Sequence, residues 1–128
     1  MLLLDSVVSS TADQIVCRAC VRQGNVFLRG DSMRSVVCLE YMAQAVAAFA
    51  GLHANGSGPP RIGYLIAATR VTLQRERLCV GDELDVSATR VWGDSALGKF
   101  SCSVTCAGDL VAEATVSVYQ PPRAAGAP

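Results

Sequence analysis

One stretch limits what this chain can become. From about Met33 to Leu52 it is apolar nearly all round, through Val36, Val37, Leu39, Met42, Ala43, Ala45, Val46, Ala47, Ala48, Phe49 and Ala50. A helix that is apolar on every side is expected to be buried on every side. Asp31 or Ser32 stands where a cap belongs, and Gly51 sits near the end. The breaker run Asn55-Gly56-Ser57-Gly58-Pro59-Pro60 closes the segment. A chain of 128 residues fits one domain with one modest core. One buried helix in such a domain needs a sheet that curls around it.

The remaining sequence supplies that sheet. Leu84, Val86 and Ala88 alternate with Glu83, Asp85, Ser87 and Thr89. Phe100, Cys102, Val104 and Cys106 alternate with polar residues, as do Ala112, Ala114, Val116 and Val118. This period of two marks half-buried strands. Gly93-Asp94-Ser95 and Ala107-Gly108-Asp109 read as the turns between them. Gly63 to Arg75 is a further strand of less regular pattern, and Leu2 to Val8 and Gln14 to Val21 add two more. The expected order is strand, strand, long helix, then four strands in a meander. That is an α+β domain over residues 1–120, one helix wrapped by a curved antiparallel sheet of about six strands. Residues 121–128 form a Pro/Ala/Gly-rich tail expected to be disordered.

Composition removes several function classes. Formal net charge is zero, which gives no case for nucleic acid or anionic membrane. The apolar stretch Val36 to Leu52 is short for a membrane span and carries Glu40 and Gln44. Met1-Leu2-Leu3-Leu4-Asp5 lacks the positive region of a secretory signal, so the expected compartment is the cytoplasm. The six cysteines are read as small hydrophobes in a reducing compartment. Cys17 and Cys20 would point to opposite faces of a strand, and no cluster has zinc spacing, so no metal is expected.

Glu40 and Gln44 interrupt the helix and share one face. A carboxylate among apolar residues is costly unless paired or used. Two readings stay open from the residues alone. One is a Glu at a solvent-lined groove, bonded to Gln44. The other is a general base in an apolar tunnel.

The run from Met33 through Glu40 and Gln44 to Ala45 resembles the central-helix motif of bacterial 3-hydroxyacyl-ACP dehydratases, which fold as hotdog domains. The family motif is Met-Pro-Gly, four residues, an acid, then Gln four residues on; the spacing here matches without a gap. Val80-Gly81-Asp82-Glu83-Leu84 is similar to the family's Pro-Gly-Asp-x-Leu turn. Gly98-Lys99-Phe100 and Val111-Ala112-Glu113-Ala114 resemble its later strands. Leu39 to Ala45 and Arg61-Ile62-Gly63-Tyr64-Leu65 look most like the subgroup encoded with aryl polyene and xanthomonadin pigment synthesis.

The resemblance implies dehydration of a 3-hydroxyacyl thioester on an acyl carrier protein to the trans-2-enoyl product, without a cofactor. It gives Glu40 the catalytic acid/base position and Gln44 the position that steadies it. The backbone N–H groups of Ser35 and Val36 take the family's oxyanion place, aided by the helix dipole. It also implies at least a homodimer, with the active site at the interface. The sequence departs from the family in one essential residue. The family histidine, fourteen residues before the acid, is Val26 here, or Asn25 with a small gap. The sole histidine, His53, lies thirteen residues of helix from Glu40, roughly 20 Å. Pro-Gly is Arg34-Ser35. Two alternatives follow: an assisting subunit in a heteromer with a His-bearing dehydratase, or a hotdog thioesterase in which Glu40 activates water. Tyr41 and Tyr64 are expected to line a substrate tunnel. Arg61, Arg70, Arg75 and Arg77 form either a solvated strand face or a basic patch for the carrier protein, with Arg61, Arg70 and Arg75 as its expected contacts. Trp92 is read as core or interface.

Overall fold

Alternation becomes burial wherever it was regular. In β6 (Glu83–Gly93), Leu84, Val86 and Ala88 are fully buried while their neighbours face outward. The same rule holds in β7 (Leu97–Cys106) and β8 (Asp109–Tyr119), whose inward residues include Cys102, Val104, Ala114 and Val116. The computed structural model describes residues 2–53, 64–94 and 96–119. Before β6 come β1 (Ser6–Ser10), β2 (Gln14–Cys20), β3 (Ser32–Arg34), the helix α1 (Cys38–Leu52), β4 (Tyr64–Leu73) and β5 (Arg77–Cys79). Six strands form one antiparallel sheet in the order β1-β2-β6-β7-β8-β4. The helix packs on the faces of β6, β2, β7 and β8. This is the helix on a curved sheet that the long apolar run implied, and the hotdog arrangement that the resemblance implied.

The helix differs from expectation in its start and in its burial. Met33 is not helical: it sits in β3, opposite Leu78 of β5, and both side chains are fully buried. Burying each contributes about 1.5–3 kcal/mol, which outweighs about one and a half more turns of helix. A 3-10 turn, Ser35–Val37, then leads into α1. Asp31 and Ser32 therefore cap nothing. The helix enters through Val37 without a side-chain cap, and the Ser32 hydroxyl instead accepts from Arg77 Nε at 2.7 Å.

Nor is α1 buried on every side. Cys38, Tyr41, Met42, Ala45, Val46 and Phe49 form one stripe against the sheet. The opposite stripe, Val36, Glu40, Ala47 and Gly51, is exposed. A single sheet reaches only one side of a helix. By length and composition Ser35–Leu52 is apolar enough to cross a membrane, yet its Tyr41, Met42, Val46 and Phe49 are part of the core of this fold.

The expected four-strand meander is also corrected. Only β6, β7 and β8 follow one another; β4 crosses to the far edge and pairs with β8. Its pattern was irregular because its pairing slips twice, between Leu65 and Ala67 and between Thr69 and Thr72. An edge strand with bulges buries neither face fully, and Leu65, Ile66, Val71 and Leu73 are exposed. Trp92 is 53% exposed, so it is no core residue of this chain. Cys17 is buried and Cys20 half-buried, as opposite strand faces require, but Cys79 is exposed.

Candidate active site

Glu40 lies on the open stripe of α1, one turn past the start of the helical run. The next residue on that stripe at i+4 is Gln44, and its Nε2 donates to Glu40 Oε1 at 3.3 Å. The other end of the same amide is also engaged: Gln44 Oε1 accepts the main-chain N–H of Leu3 at 2.7 Å. Leu3 is itself anchored, with its side chain in the core at 6% exposure. Sequence reasoning missed Leu3, because a main-chain donor leaves no mark on residue type.

The helix start contains the second part of the site. Ser35 is buried, and its N–H donates to the Glu76 carbonyl at 2.9 Å. That corrects its expected role, since an amide committed to the chain's own carbonyl is not offered to a substrate. Val36 is 49% exposed and lies at the positive end of the helical run, where amides have no intrahelical acceptor. A groove of about 380 Å³ opens here, lined by Arg34, Ser35, Val36 and Leu73 to Glu76. Glu40 follows one turn along the axis, about 6 Å.

Other expected residues fall elsewhere. Tyr41 does not line an open tunnel: it is fully buried on the sheet-facing stripe, one residue and about 100° round the helix from Glu40. Burial raises its phenol above the ordinary range, against the lowering effect of a bond from Asn25 Nδ2 at 3.4 Å. Asn25 is thereby turned to Tyr41, and its Oδ1 accepts the Phe27 N–H at 2.9 Å. Val26 is exposed. His53 stacks on Phe49 at 4.1 Å, and its ring nitrogens lie 2.9 Å from the carbonyls of Phe49 and Thr11. It caps the far end of the helix and is no partner for Glu40.

The arginines are divided. Arg75 pairs with Asp82 at 3.3 Å and also borders the groove. Arg70 is exposed at the second bulge of β4, with a φ of 53°. Arg61 and the Tyr64 side chain lie outside the described residues. Cys38, two residues before Glu40, is no nucleophile: burial pushes its thiol up to about 12.

A carboxylate on an open helix face, an amide hydrogen-bonded to it and a helix start one turn away come together on this hotdog fold. The ApeP-like family model, described as ApeP dehydratase, matches residues 1–127, and the chain belongs to that dehydratase family. No curated protein matches. Among solved structures, the dehydratase heterocomplex ApeI:P from Xenorhabdus doucetiae has a similar chain, with a TM-score of 0.84 at 24% identity, over 95% of this chain and 84% of that one. The E. coli PaaI protein of the phenylacetic acid degradation operon gives a TM-score of 0.71 at 15% identity, over 91% and 79%. A hypothetical thioesterase from Streptococcus pneumoniae TIGR4, solved with coenzyme A, gives 0.67 at 11% identity, over 91% and 84%. At these identities the likeness is one of fold.

Proposed function

We propose that this protein dehydrates a 3-hydroxyacyl thioester carried on an acyl carrier protein to the trans-2-enoyl thioester, in aryl polyene or fatty-acid-like synthesis in the cytoplasm. The observation that carries the reading is Glu40, exposed on α1 and hydrogen-bonded by Gln44 one turn from the helix start. The Glu40 carboxylate takes the proton on the carbon next to the thioester carbonyl. Negative charge gathers on the carbonyl oxygen, where the Val36 amide and the positive end of the helix favour it. The carbon–oxygen bond to the β-hydroxyl then breaks. Glu40 returns its proton to the departing oxygen, and water leaves as the double bond forms. The groove at Val36 admits the thioester end, and the exposed Arg70 on β4 faces an acidic carrier.

One observation supports a second reading, an assisting subunit within a heteromer. Among the described residues no histidine lies beside Glu40: His53 caps the other end of α1, and Asn25 is bonded to Tyr41. The exposed stripe of α1 and the apolar edge of β4 are surfaces that a second hotdog chain, identical or His-bearing, would cover. The similar chain from Xenorhabdus comes from a dehydratase heterocomplex.

The test is mass spectrometry of a 3-hydroxyacyl carrier-protein substrate incubated with wild type and with Glu40→Gln. Loss of water by wild type alone supports the enzyme. No water loss from folded wild type, with activity restored by a His-bearing relative, supports the assisting subunit. Release of free carrier thiol supports a thioesterase.

A further inference from the structure

We propose that the main chain of Leu3 is a positioning element for Glu40. Its N–H sets the orientation of the Gln44 amide, and that amide sets the carboxylate. The inference rests on Glu40 as the acid/base residue.

The argument follows from which atoms donate. A main-chain N–H can only donate, so the Gln44 atom 2.7 Å from Leu3 N must be the carbonyl oxygen. The amide is planar, so its NH2 group then faces the other way. There it meets Glu40 Oε1 at 3.3 Å, an atom that only accepts when ionised. Both ends therefore demand the same orientation. The Leu3 donor opposes a half-turn of the amide. The flipped amide would present its oxygen to the carboxylate, which repels it.

Leu3 is held firmly enough for this role. Its side chain is buried in the core and Leu4 packs against it. Two residues on, Asp5 N–H donates to the Arg18 carbonyl at 2.8 Å. The Asp5 carboxylate accepts from Cys20 N at 2.8 Å and from Arg22 Nη1 at 2.6 Å. The segment is thus tied to β2 on one side and touches the helix at Gln44 on the other. A segment outside the regular elements controls a side chain of the site.

The experiment compares Leu3→Pro, which removes the N–H, with Leu2→Pro, which removes its exposed neighbour's. Two readouts are taken: the side-chain amide resonances of Gln44 in 15N-labelled protein, and the rate of water loss from the 3-hydroxyacyl carrier-protein substrate. Leu3→Pro is expected to move the Gln44 resonances and to lower kcat roughly tenfold or more, with KM within about twofold. Leu2→Pro is expected to do neither. Leu3→Ala, which loses core contacts but keeps the donor, is expected to lower stability and leave the Gln44 resonances in place. Should Leu3→Pro fail to fold, the ester analogue with oxygen in place of the Leu3 N–H gives the same two readouts. Unmoved Gln44 resonances, or an equal fall of kcat in Leu2→Pro, would overturn the inference. If wild type itself releases no water, the proposed activity falls, and the resonances alone decide whether Leu3 orients Gln44.

Discussion

Gln44 donates to Glu40 across one turn of α1, at 3.3 Å, on the side of the helix that the sheet leaves open. The pair forms at small structural cost, because Glu40 stays in contact with solvent. Glu40→Gln should therefore lower the dehydration rate by at least about 100-fold while leaving the melting temperature nearly unchanged. Gln44→Met should lower kcat about tenfold. Rates by mass spectrometry and melting by circular dichroism check both.

Tyr41 gives the opposite signature. It is fully buried, and its hydroxyl accepts from Asn25. Tyr41→Phe should cost about 0.5–1.5 kcal/mol in urea unfolding and leave kcat and KM unchanged. A tunnel-lining residue would change KM at constant stability.

Acid should loosen the segment that presents Leu3. The hydrogen bond from Arg22 is the main cause that holds the Asp5 carboxyl below its ordinary 3.8. The unfolded chain thus binds this proton more readily than the folded one. The contribution of Asp5 is complete above about pH 4 and is lost as pH falls through the lower folded value. Asp5→Asn should flatten the dependence of stability on pH below about 4 and leave it unaltered near neutrality. Urea titrations at a series of pH values read the difference.

If the proposed carrier protein binds at β4, Arg70 and Arg75 should separate its recognition from folding. Arg70 is exposed, so Arg70→Glu should weaken carrier-protein binding several-fold at low salt, an effect that fades toward 1 M salt. Arg75→Glu places a carboxylate beside Asp82, and should lower the melting temperature as well. Calorimetry at two salt concentrations distinguishes them.

The β7–β8 hairpin has room for improvement. Ala107 and Gly108 occupy its turn with φ of 53° and 85°. A two-residue turn with both φ positive suits Asn-Gly, and a Cβ without a local hydrogen bond is strained there. Ala107→Asn should raise stability by about 0.5–1 kcal/mol and the melting temperature by a few degrees, by differential scanning calorimetry.

The amino-acid sequence by itself determined the class of architecture and the shared helix face of Glu40 and Gln44. Period-two alternation in β6, β7 and β8 specifies which face of each strand is buried, since a one-residue slip would turn every side chain over. A lone apolar helix in a small domain admits few partners other than a curved sheet. The i, i+4 spacing of Glu40 and Gln44 places them on one face wherever the helix sits. The tertiary structure decided the rest. Met33 left the helix because Leu78, forty-five residues away, offered it a buried partner. The Ser35 N–H meets the carbonyl of Glu76, and the Leu3 N–H meets the side-chain oxygen of Gln44. Both bonds start from a main-chain N–H and end on an acceptor in a distant segment. Every residue but proline carries the same N–H and C=O, so only the folded path of the chain determines which of them meet.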